Sequence, residues 1–577
     1  MIGTRCANIR EDTTTRPKPT SMMRRLAHTL CGAVFLLVLF GACSRVGGAP
    51  IGQLADLFLE GGEKHLRTPM RPLRGETRVL IFAFDGVGDD DFRRAVREGR
   101  VPNVARILGA PSGTPGGFAR AHGVPNAMSV LPSITVAAWT SLFTGRPPGE
   151  TGVPGNEWFA REEMRFYAPA PGSFRSNDHA IRMYTEGLVG QVARTPTLFE
   201  QVGVRSHVSM LPLHRGADLL HMAKLNTFGD LFAAAVEGAV QGKPTLQSYS
   251  EMDQSSVRSV VAGLKEHGVP DLQVVYFPGV DLHTHVVESP IEGQQRYLQE
   301  ILDPLIGDVV DEYRRQGVLE RTFLVFVSDH GHTPVLGDDR HALSDEPAAL
   351  LDSVGFRVRP FQIDVKEDDF QAVLAYQGSL AFVYLAARST CPATGRRCAW
   401  TRGPRFEQDV LPVVRAIDRA NRTGHSAPEM QGTLDLILAR PSARWWQRGP
   451  QPFHVWNGAR LLPIGEYLRR NPRPDLLRFE ERMQDLATGA RGNRAGDVLL
   501  MARASSAEPL ENRFYFGSEG FASWHGSPSA QDSRIPMVVA HAVLSGAELR
   551  QIVQPLMGET PSHVEFARLI QTLLKRR

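Results

Sequence analysis

Carboxylates and imidazoles recur in short clusters along this 577-residue chain. Asp281 is followed four residues later by His285, Asp329 is adjacent to His330, and His525 lies in the segment SWHGSP. In the absence of thiolates, these are the side chains that a borderline divalent ion such as zinc accepts. A lone histidine is more often structural than a ligand, and among 18 histidines some pairs arise by chance. Several clusters of this kind are harder to assign to chance, and they predict a metal site.

A second kind of chemistry is offered by the hydroxyl-rich segment around Thr135. PSIT precedes an apolar stretch that could be a helix, which would place Thr135 near a helix N-terminus. Backbone N–H groups and the helix dipole favour an anion there. A threonine alkoxide is costly at neutral pH unless a cation activates it. On composition alone Thr135 is equally well explained as an N-cap, and four other hydroxyls compete with it as nucleophile: Ser133, Thr140, Ser141 and Thr144.

The elements that must position these groups are apolar runs that lead into acidic residues. The run at 79–84 stops at Asp85, LQVVYFPGVD ends at Asp281, and TFLVFVSDHG carries Asp329, while PMVVAHAV is a fourth candidate strand. Continuous apolar runs of this length are typical of buried strands. Helical patterns lie between them, for example at 294–315. Their alternation predicts an α/β fold with a mostly parallel sheet, in which ligands bind at the carboxyl ends of the strands.

Taken in order, these segments resemble the alkaline phosphatase superfamily and, within it, the type I phosphodiesterase/nucleotide pyrophosphatase family. The resemblance extends from Val79 to the C-terminus. It rests on FAFDG, on PSIT before a helix ending in Thr-Gly, on Asp-x-x-x-His, on Asp-His-Gly and on a final His-Gly. It implies hydrolysis of phosphoester bonds by an alkaline-phosphatase-like core, in which helices flank a mostly parallel central sheet and a cap region is inserted.

The resemblance also implies a role for each residue of these motifs. Thr135 would be the nucleophile and would form a covalent phospho-threonine that is then hydrolysed. Two metal ions together can bridge a phosphoryl oxygen and stabilise the attacking and leaving oxygens. His283 and His332 are then structural or support the ligands from outside. The resemblance implies two zinc ions per chain with these ligands: Asp281, His285 and His525 for the first, and Asp85, Asp329, His330 and the Thr135 hydroxyl for the second.

Two further residues match positions that bind phosphate in the family or its relatives. Asn156, in GNEW, matches an asparagine that donates to a phosphate oxygen, and an amide there adds a donor without adding charge. Arg215, in LHRGAD, resembles an arginine of the phosphomonoesterase relatives, which carry a lysine where this chain has Leu213. Because a monoester carries more negative charge and that cation is missing, Leu213 favours a diester substrate. Arg215 is equally well explained as a surface ion-pair residue.

The function predicted on these grounds is a phosphodiesterase or nucleotide pyrophosphatase that acts on a small-molecule phosphoester. A phosphomonoesterase on the same metal site is the alternative, and a non-catalytic surface binding protein on the same fold is the remoter one. A sulfatase is disfavoured because VAAW follows Thr135 where that branch needs x-Pro-x-Arg. The net charge of +3 is too weak to predict binding of a nucleic-acid duplex, and no protein partner is predicted.

The N-terminus predicts export. Arg24 and Arg25 precede an apolar run at 31–42 that is too short to span a bilayer comfortably. The run ends in LFGAC, which resembles a bacterial lipoprotein signal, and Cys43 would then be lipidated and attach the protein to the membrane. An ordinary cleaved signal and an uncleaved anchor are the alternatives. The expected location is periplasmic or at the cell surface.

The chain is divided by composition into three parts: a signal segment at 1–43, a linker at 44–75 that is rich in Gly, Pro and charge, and a catalytic domain at 76–577. The cap is expected as an insertion at about 335–515. Cys391 and Cys398 bracket a short loop, and they could pair in an oxidising compartment or remain free thiols. Because no Cys-x-x-Cys pair exists, a thiolate zinc site is disfavoured.

Overall fold

The computed structural model describes the chain in seven stretches: 61–111, 117–170, 178–224, 246–361, 369–391, 397–441 and 449–576. The predicted signal segment, with Cys43, and the first part of the predicted linker lie outside the described residues. Within those stretches, no helix is both long and apolar enough to cross a membrane.

Strands are short and numerous, and we number them in chain order. The described residues contain these strands: Gly62–His65 (β1), Arg78–Phe84 (β2), Ala121–Gly123 (β3), Trp158–Ala160 (β4), Arg165–Tyr167 (β5), Ser206–Ser209 (β6), Leu219–Met222 (β7), Leu272–Phe277 (β8), Thr322–Ser328 (β9), Thr333–Pro334 (β10), Ala342–Leu343 (β11), Ala372–Gln377 (β12), Leu380–Leu385 (β13), Leu434–Ala439 (β14), His454–Trp456 (β15), Leu461–Pro463 (β16), Val498–Ala502 (β17), Tyr515–Phe516 (β18), Ser523–Trp524 (β19) and Met537–His541 (β20).

The central sheet has eight strands in the order β1-β7-β6-β8-β2-β9-β20-β3. The five strands from β7 to β9 run parallel to one another. β1 pairs antiparallel with β7, and β20 pairs antiparallel with both β9 and β3. Every residue of β2, β8 and β9 is buried. Burial on both faces explains why their sequences are uninterrupted apolar runs. The prediction of an α/β fold with a mostly parallel central sheet is confirmed.

Helices connect the strands and flank the sheet. The pattern at 294–315 forms two helices joined by a π-helical turn at Leu298–Leu302. The described stretches contain these α-helices: Asp89–Arg97 (α1), Pro102–Leu108 (α2), Thr135–Thr144 (α3), Pro148–Thr151 (α4), Asp178–Thr185 (α5), Leu188–Val192 (α6), Leu198–Val202 (α7), Leu246–His267 (α8), Gly279–Val286 (α9), Pro290–Tyr297 (α10), Asp303–Arg315 (α11), Glu346–Ser353 (α12), Leu411–Thr423 (α13), Ile464–Arg470 (α14), Phe479–Ala487 (α15), Ala530–Ser533 (α16), Gly546–Met557 (α17) and Phe566–Leu574 (α18).

A second sheet, of six antiparallel strands, has the order β12-β13-β17-β14-β15-β16. Its side chains alternate between two cores, as the period of a strand requires. Val373 and Phe382 join the core that contains the central sheet, whereas Leu374 and Val383 belong to a separate core that includes residues of α13. Both sheets therefore belong to one compact unit. The predicted cap boundaries at about 335 and 515 stay a prediction.

The structure defines the state of two cysteines and the start of the folded region. Cys391 and Cys398, which could pair or remain free thiols, form a disulfide bond. β1 falls inside the segment whose composition predicts a linker, yet it pairs with β7 as an edge strand of the central sheet. The folded part of the chain therefore begins before residue 76, because strand pairing outweighs a Gly- and charge-rich composition.

Candidate active site

The predicted site residues come together at the carboxyl ends of neighbouring strands. Asp85 directly follows β2 and Asp329 directly follows β9, and these two strands are paired in parallel. β8, on the other side of β2, leads into α9, where Asp281 and His285 are one helical turn apart and both buried. Parallel pairing thus brings residues that are far apart in sequence to one edge of the sheet.

Short strand pairings deliver the remaining groups to the same place. β19 pairs with β10, which puts His525 beside the segment that follows Asp329. An isolated bridge between Ser133 and Gly526 then brings the start of α3 next to His525. Gly86 leaves space for the site, because a Cβ there, at φ +71°, would lie 2.5 Å from His332 Nε2.

The first group of donors comprises Asp281, His285, His332 and His525. One donor atom from each lies within 4.8 Å of the others, and all four residues are buried. His525 Nε2 lies 3.2 Å from His285 Nε2 and 3.6 Å from Asp281 Oδ1. His332 Nε2 lies 2.8 Å from Asp281 Oδ1. The group contains the three residues expected to hold the first zinc ion and adds His332 to them.

The second group comprises Asp85, Asp329 and His330, again with one donor atom of each within 4.8 Å of the others. His330 Nε2 lies 3.4 Å from Asp85 Oδ1 and 3.3 Å from Asp329 Oδ2. Thr135 Oγ1 approaches the same nitrogen to 3.2 Å. The structure therefore brings together the residues expected to hold the second ion, including the threonine.

Hydrogen bonds to the backbone decide which ring nitrogens face the site. With Nδ1 as the donor, the Nε2 atom of each ring carries a lone pair that points at its neighbours. Two such lone pairs on His285 and His525 repel one another at 3.2 Å unless a cation lies between them. The donating Nδ1–H groups are those of His285 to Ser523 O at 2.7 Å, His330 to Gly331 O at 3.1 Å and His525 to Ser133 O at 3.3 Å.

The carboxylates of the second group show the same need for a cation. Asp85 Oδ1 and Asp329 Oδ2 are buried and have no hydrogen-bond partner in the part of the chain that the structure describes. Burial raises the pKa of Asp85 well above its ordinary value, and repulsion from Asp329 raises it further. Burial also raises the pKa of Asp329 to about 7, and it lowers the pKa of His330 to about 3. The fold has gathered anions and lone pairs that a divalent ion would stabilise, so the donor set fits metal ions.

Thr135 begins α3 and is buried. Its neighbour Val136 donates its N–H to Asn156 Oδ1 at 2.9 Å, and the N–H of Asn156 is held by Gln377 Oε1 at 2.7 Å. Because the Asn156 oxygen faces Val136, its NH2 group is left as a donor, with no acceptor among the residues that the structure describes. Thr135 and Asn156 are thus fixed next to one another at the start of one helix.

Three of the four hydroxyls that compete with Thr135 have other hydrogen-bond partners, and the fourth, on Ser141, is buried with no partner among the described residues. Thr140 donates to Val136 O at 2.6 Å and Thr144 donates to Thr140 O at 2.7 Å, one helical turn earlier in each case. The Ser133 hydroxyl accepts from Arg482 at 2.8 Å. Thr135 contacts a residue of the donor groups, and this contact separates it from these alternatives.

Arg215 does not support the role suggested for it. Its guanidinium donates to the carbonyl oxygens of Gly190, Ala193 and Thr195 and forms an ion pair with Glu200 at 3.0 Å. These bonds use all five N–H donors of the side chain. The substrate-binding hypothesis is therefore corrected in favour of its alternative, a surface ion-pair residue, here paired with Glu200.

Two contributors to the site lie outside the set of predicted ligands. Tyr276, in β8, donates its hydroxyl to Asp85 Oδ2 across the strand pair. His332 donates through Nδ1 to Ser523 Oγ at 3.0 Å, because the serine proton goes to a backbone carbonyl. His283, by contrast, lies in neither group and packs against Tyr297. The short spacing between Asp329 and His332 could have identified His332 from the sequence. Tyr276 could not be identified in this way, because its contact with Asp85 depends on strand register.

Comparison with known proteins identifies the family of the chain. The model of the type I phosphodiesterase / nucleotide pyrophosphatase family matches residues 79–388, which is more than half of the chain. The chain therefore belongs to this family, and it is a hydrolase of phosphoester bonds. No curated protein matches the chain.

Solved structures with a similar arrangement include two enzymes. Phosphonoacetate hydrolase from Sinorhizobium meliloti 1021, in complex with phosphonoformate, is 16% identical with a TM-score of 0.44, over 87% of this chain and 99% of that chain. An inactive variant of murine ectonucleotide pyrophosphatase / phosphodiesterase 5, in complex with AMP, is 12% identical with a TM-score of 0.47, over 87% of this chain and 96% of that chain. Identities this low do not define the substrate of this chain.

Proposed function

We propose that this protein is an exported two-zinc phosphodiesterase or nucleotide pyrophosphatase that acts through a phospho-threonine intermediate on Thr135. One observation carries the proposal. The Thr135 hydroxyl lies 3.2 Å from His330 Nε2, in the group where unpartnered oxygens of Asp85 and Asp329 also lie. A hydroxyl among buried metal-ligand atoms is placed to act as an activated nucleophile.

The donor atoms favour zinc. Magnesium and calcium prefer oxygen ligands, whereas imidazoles supply part of each group here. When bound, such ions would stabilise negative charge on the threonine oxygen and on the phosphoryl oxygens. The first ion would be held by Asp281, His285 and His525, and the second by Asp85, Asp329, His330 and Thr135.

The chain's own groups account for the rest of the reaction. Thr135 Oγ1 would attack phosphorus while the bond from phosphorus to the leaving oxygen breaks, and water would later cleave the new ester. The dipole of α3 favours negative charge at Thr135, the first residue of the helix. The NH2 group of Asn156 would donate to a phosphoryl oxygen, and its bonds through Val136 and Gln377 hold it in that position.

A diester is favoured over a monoester by two side chains. Leu213 is fully buried, and all N–H donors of Arg215 are used within the protein. Neither position therefore provides a cation for the additional negative charge of a monoester.

The test is a comparison of kcat/KM for bis-p-nitrophenyl phosphate and p-nitrophenyl phosphate on purified, zinc-loaded protein. We expect the diester to be hydrolysed with the larger kcat/KM. Faster hydrolysis of the monoester would overturn the diesterase assignment in favour of a phosphomonoesterase on the same metals. Absence of turnover on both, with zinc bound, would favour the binding protein.

Export is part of the proposal and has independent support. The basic and apolar segments before Cys43 predict a lipoprotein signal, and the bond between Cys391 and Cys398 is typical of oxidising compartments. In cells given a palmitate analogue, we expect label on the wild-type protein in the membrane fraction and none on Cys43→Ala. A protein that stays unlabelled in the cytoplasmic fraction would contradict this location.

A further inference from the structure

A second group of histidines lies at the edge of the central sheet where β1 pairs with β7, away from the candidate active site. Glu63 of β1 lies opposite His221 of β7 in the antiparallel register. α8 packs against β1, β6 and β7 and ends at His267. His65 follows Glu63 by two residues, so the two side chains lie on the same face of β1.

The outer part of this cluster has the spacing of a metal site. Glu63 Oε1 lies 2.7 Å from His267 Nε2 and 3.2 Å from His65 Nε2. One donor atom of each residue lies within 4.8 Å of the other two. Donors around a tetrahedral zinc ion, with bonds of about 2.0–2.1 Å, are about 3.3 Å apart. The three donors are therefore close to the separations that one ion would require.

Two buried imidazoles lie behind these donors. His207 makes edge-to-face ring contacts with His221 and His267, with centroids 6.0 Å and 6.4 Å apart. Both ring nitrogens of His207, and Nε2 of His221, are buried and have no hydrogen-bond partner among the described residues. Burial, with a smaller contribution from the neighbouring histidines, lowers the pKa of each ring to about 3. Both rings are therefore uncharged at neutral pH and retain a lone pair.

Hydrogen bonding identifies the lone pair of His221. Ser259 donates its hydroxyl to Gly62 O at 2.6 Å, so its oxygen accepts from His221 Nδ1, 3.3 Å away. Nε2 of His221 is then the unprotonated nitrogen, and it is the one with no partner among the described residues. A buried acceptor without a partner is costly, and positive charge bound at the neighbouring Glu63 would reduce that cost electrostatically.

α8 is shaped to leave room for this cluster. A Cβ at Gly263 would lie 2.4 Å from His221 Cε1 and 3.2 Å from Glu63 Oε2. Glycine destabilises the interior of a helix relative to alanine. Its presence at this position is explained by the imidazole and the carboxylate, which share the space beside it.

We propose that Glu63, His65 and His267 bind a divalent transition-metal ion, zinc by its donor set, at a site separate from the active site. Two imidazoles and one carboxylate are a ligand set that zinc accepts. The ion would join β1 to the end of α8, and a helix C-terminus favours positive charge. The side chains of Glu63 and His65 are 25% and 42% exposed, so an ion can enter from solvent.

The test counts zinc ions per chain in the full-length protein. Protein stripped with a chelator is dialysed against Zn²⁺, and bound zinc is measured by elemental analysis. We expect the double variant His65→Ala/His267→Ala to bind one zinc ion fewer than the wild type and to keep its turnover of bis-p-nitrophenyl phosphate. The matched control is His425→Ala, which removes an exposed histidine outside the cluster and should bind as much zinc as the wild type.

Equal zinc content in the double variant and the wild type would overturn the proposal and leave a hydrogen-bonded Glu–His cluster. If the double variant does not fold, Glu63→Gln replaces it, because the amide keeps a hydrogen-bond acceptor and removes the charge. We expect its zinc affinity at this site to fall at least tenfold in competition with a chelator, and unchanged affinity would contradict the proposal. Because each result is a difference from the wild type, it is read independently of the number of ions in the active site.

Discussion

The two regions where histidines meet carboxylates differ in how their side chains are held. At the strand ends, the rings of His285, His330 and His525 are buried and each is fixed through Nδ1 by a backbone carbonyl. At the β1 edge, Glu63 and His65 are partly exposed, and the contacts to Glu63 are made through Nε2. Fixed rings keep donor atoms in place for chemistry, whereas exposed ones can adjust to bind an ion. The strand ends are therefore suited to a reaction, and the β1 edge is suited to ion binding.

The largest expected effect comes from Thr135, which has no counterpart at the β1 edge. Thr135→Ala should lower kcat for bis-p-nitrophenyl phosphate by about 10⁴-fold or more, since it removes the nucleophile. The zinc content should stay close to that of the wild type, because the other ligands remain. Thr135→Ser, which keeps a hydroxyl, serves as the control and should retain measurable turnover. A Thr135→Ala enzyme with wild-type kcat would show that the nucleophile is another group.

Removal of a ligand should separate the two regions by activity. Asp281→Ala should lose zinc and turnover together, because the facing imidazoles of His285 and His525 cannot hold the ion without the carboxylate. His525→Ala should behave in the same way, whereas the variants at the β1 edge lose zinc without losing turnover. Asp90→Ala, at an exposed acidic residue of α1, is the matched control. Full zinc occupancy in Asp281→Ala by elemental analysis would contradict the ligand assignment.

Asn156 tests whether the strand-end site also orients the phosphoryl group. Asn156→Ala should lower kcat by about 10²- to 10³-fold if its NH2 group donates in the transition state. Asn156→Asp keeps an acceptor for the Val136 N–H, removes the donor and adds a negative charge, so we expect at least a similar loss. Wild-type kcat in Asn156→Asp would instead show that the residue serves only to hold the start of α3.

The smallest expected effect is at Arg215, a cationic residue outside both regions. Arg215→Ala should leave kcat/KM for diester and monoester within about twofold, while thermal unfolding shifts to lower temperature. The substitution leaves the carbonyls of Gly190, Ala193 and Thr195 without their donor. Because the side chain is partly exposed, we expect the free energy of unfolding to fall by about 1–2 kcal/mol. A selective loss of monoester hydrolysis would restore a substrate-binding role.

Much of the strand-end site could be predicted because each motif is local. The apolar run before Asp85 predicted β2 to within one residue, and the fold class followed from three such runs. The run ending at Asp281 was less exact, since β8 stops at Phe277 and α9 supplies the carboxylate. The Asp-x-x-x-His spacing nevertheless identifies both Asp281 and His285, whether a strand or a helix carries them.

What could not be predicted depends on contacts between distant segments. Tyr276 reaches Asp85 only because β8 and β2 pair in one register. Arg215 looked like a phosphate ligand because its neighbours in sequence do not reveal the carbonyls within and just after α6 to which it donates. The β1 edge cluster combines side chains from residue 63 to residue 267, and composition assigned its first strand to a linker. Each of these contacts is set by packing rather than by sequence spacing.

The central claim is that Thr135 carries the covalent intermediate. The most direct measurement is rapid acid quenching of zinc-loaded enzyme during turnover of bis-p-nitrophenyl phosphate, followed by digestion and mass spectrometry of the peptides. We predict a p-nitrophenyl phosphoryl group on Thr135, in the peptide that contains PSIT, and none on Thr135→Ala. An adduct on any other residue would contradict the account.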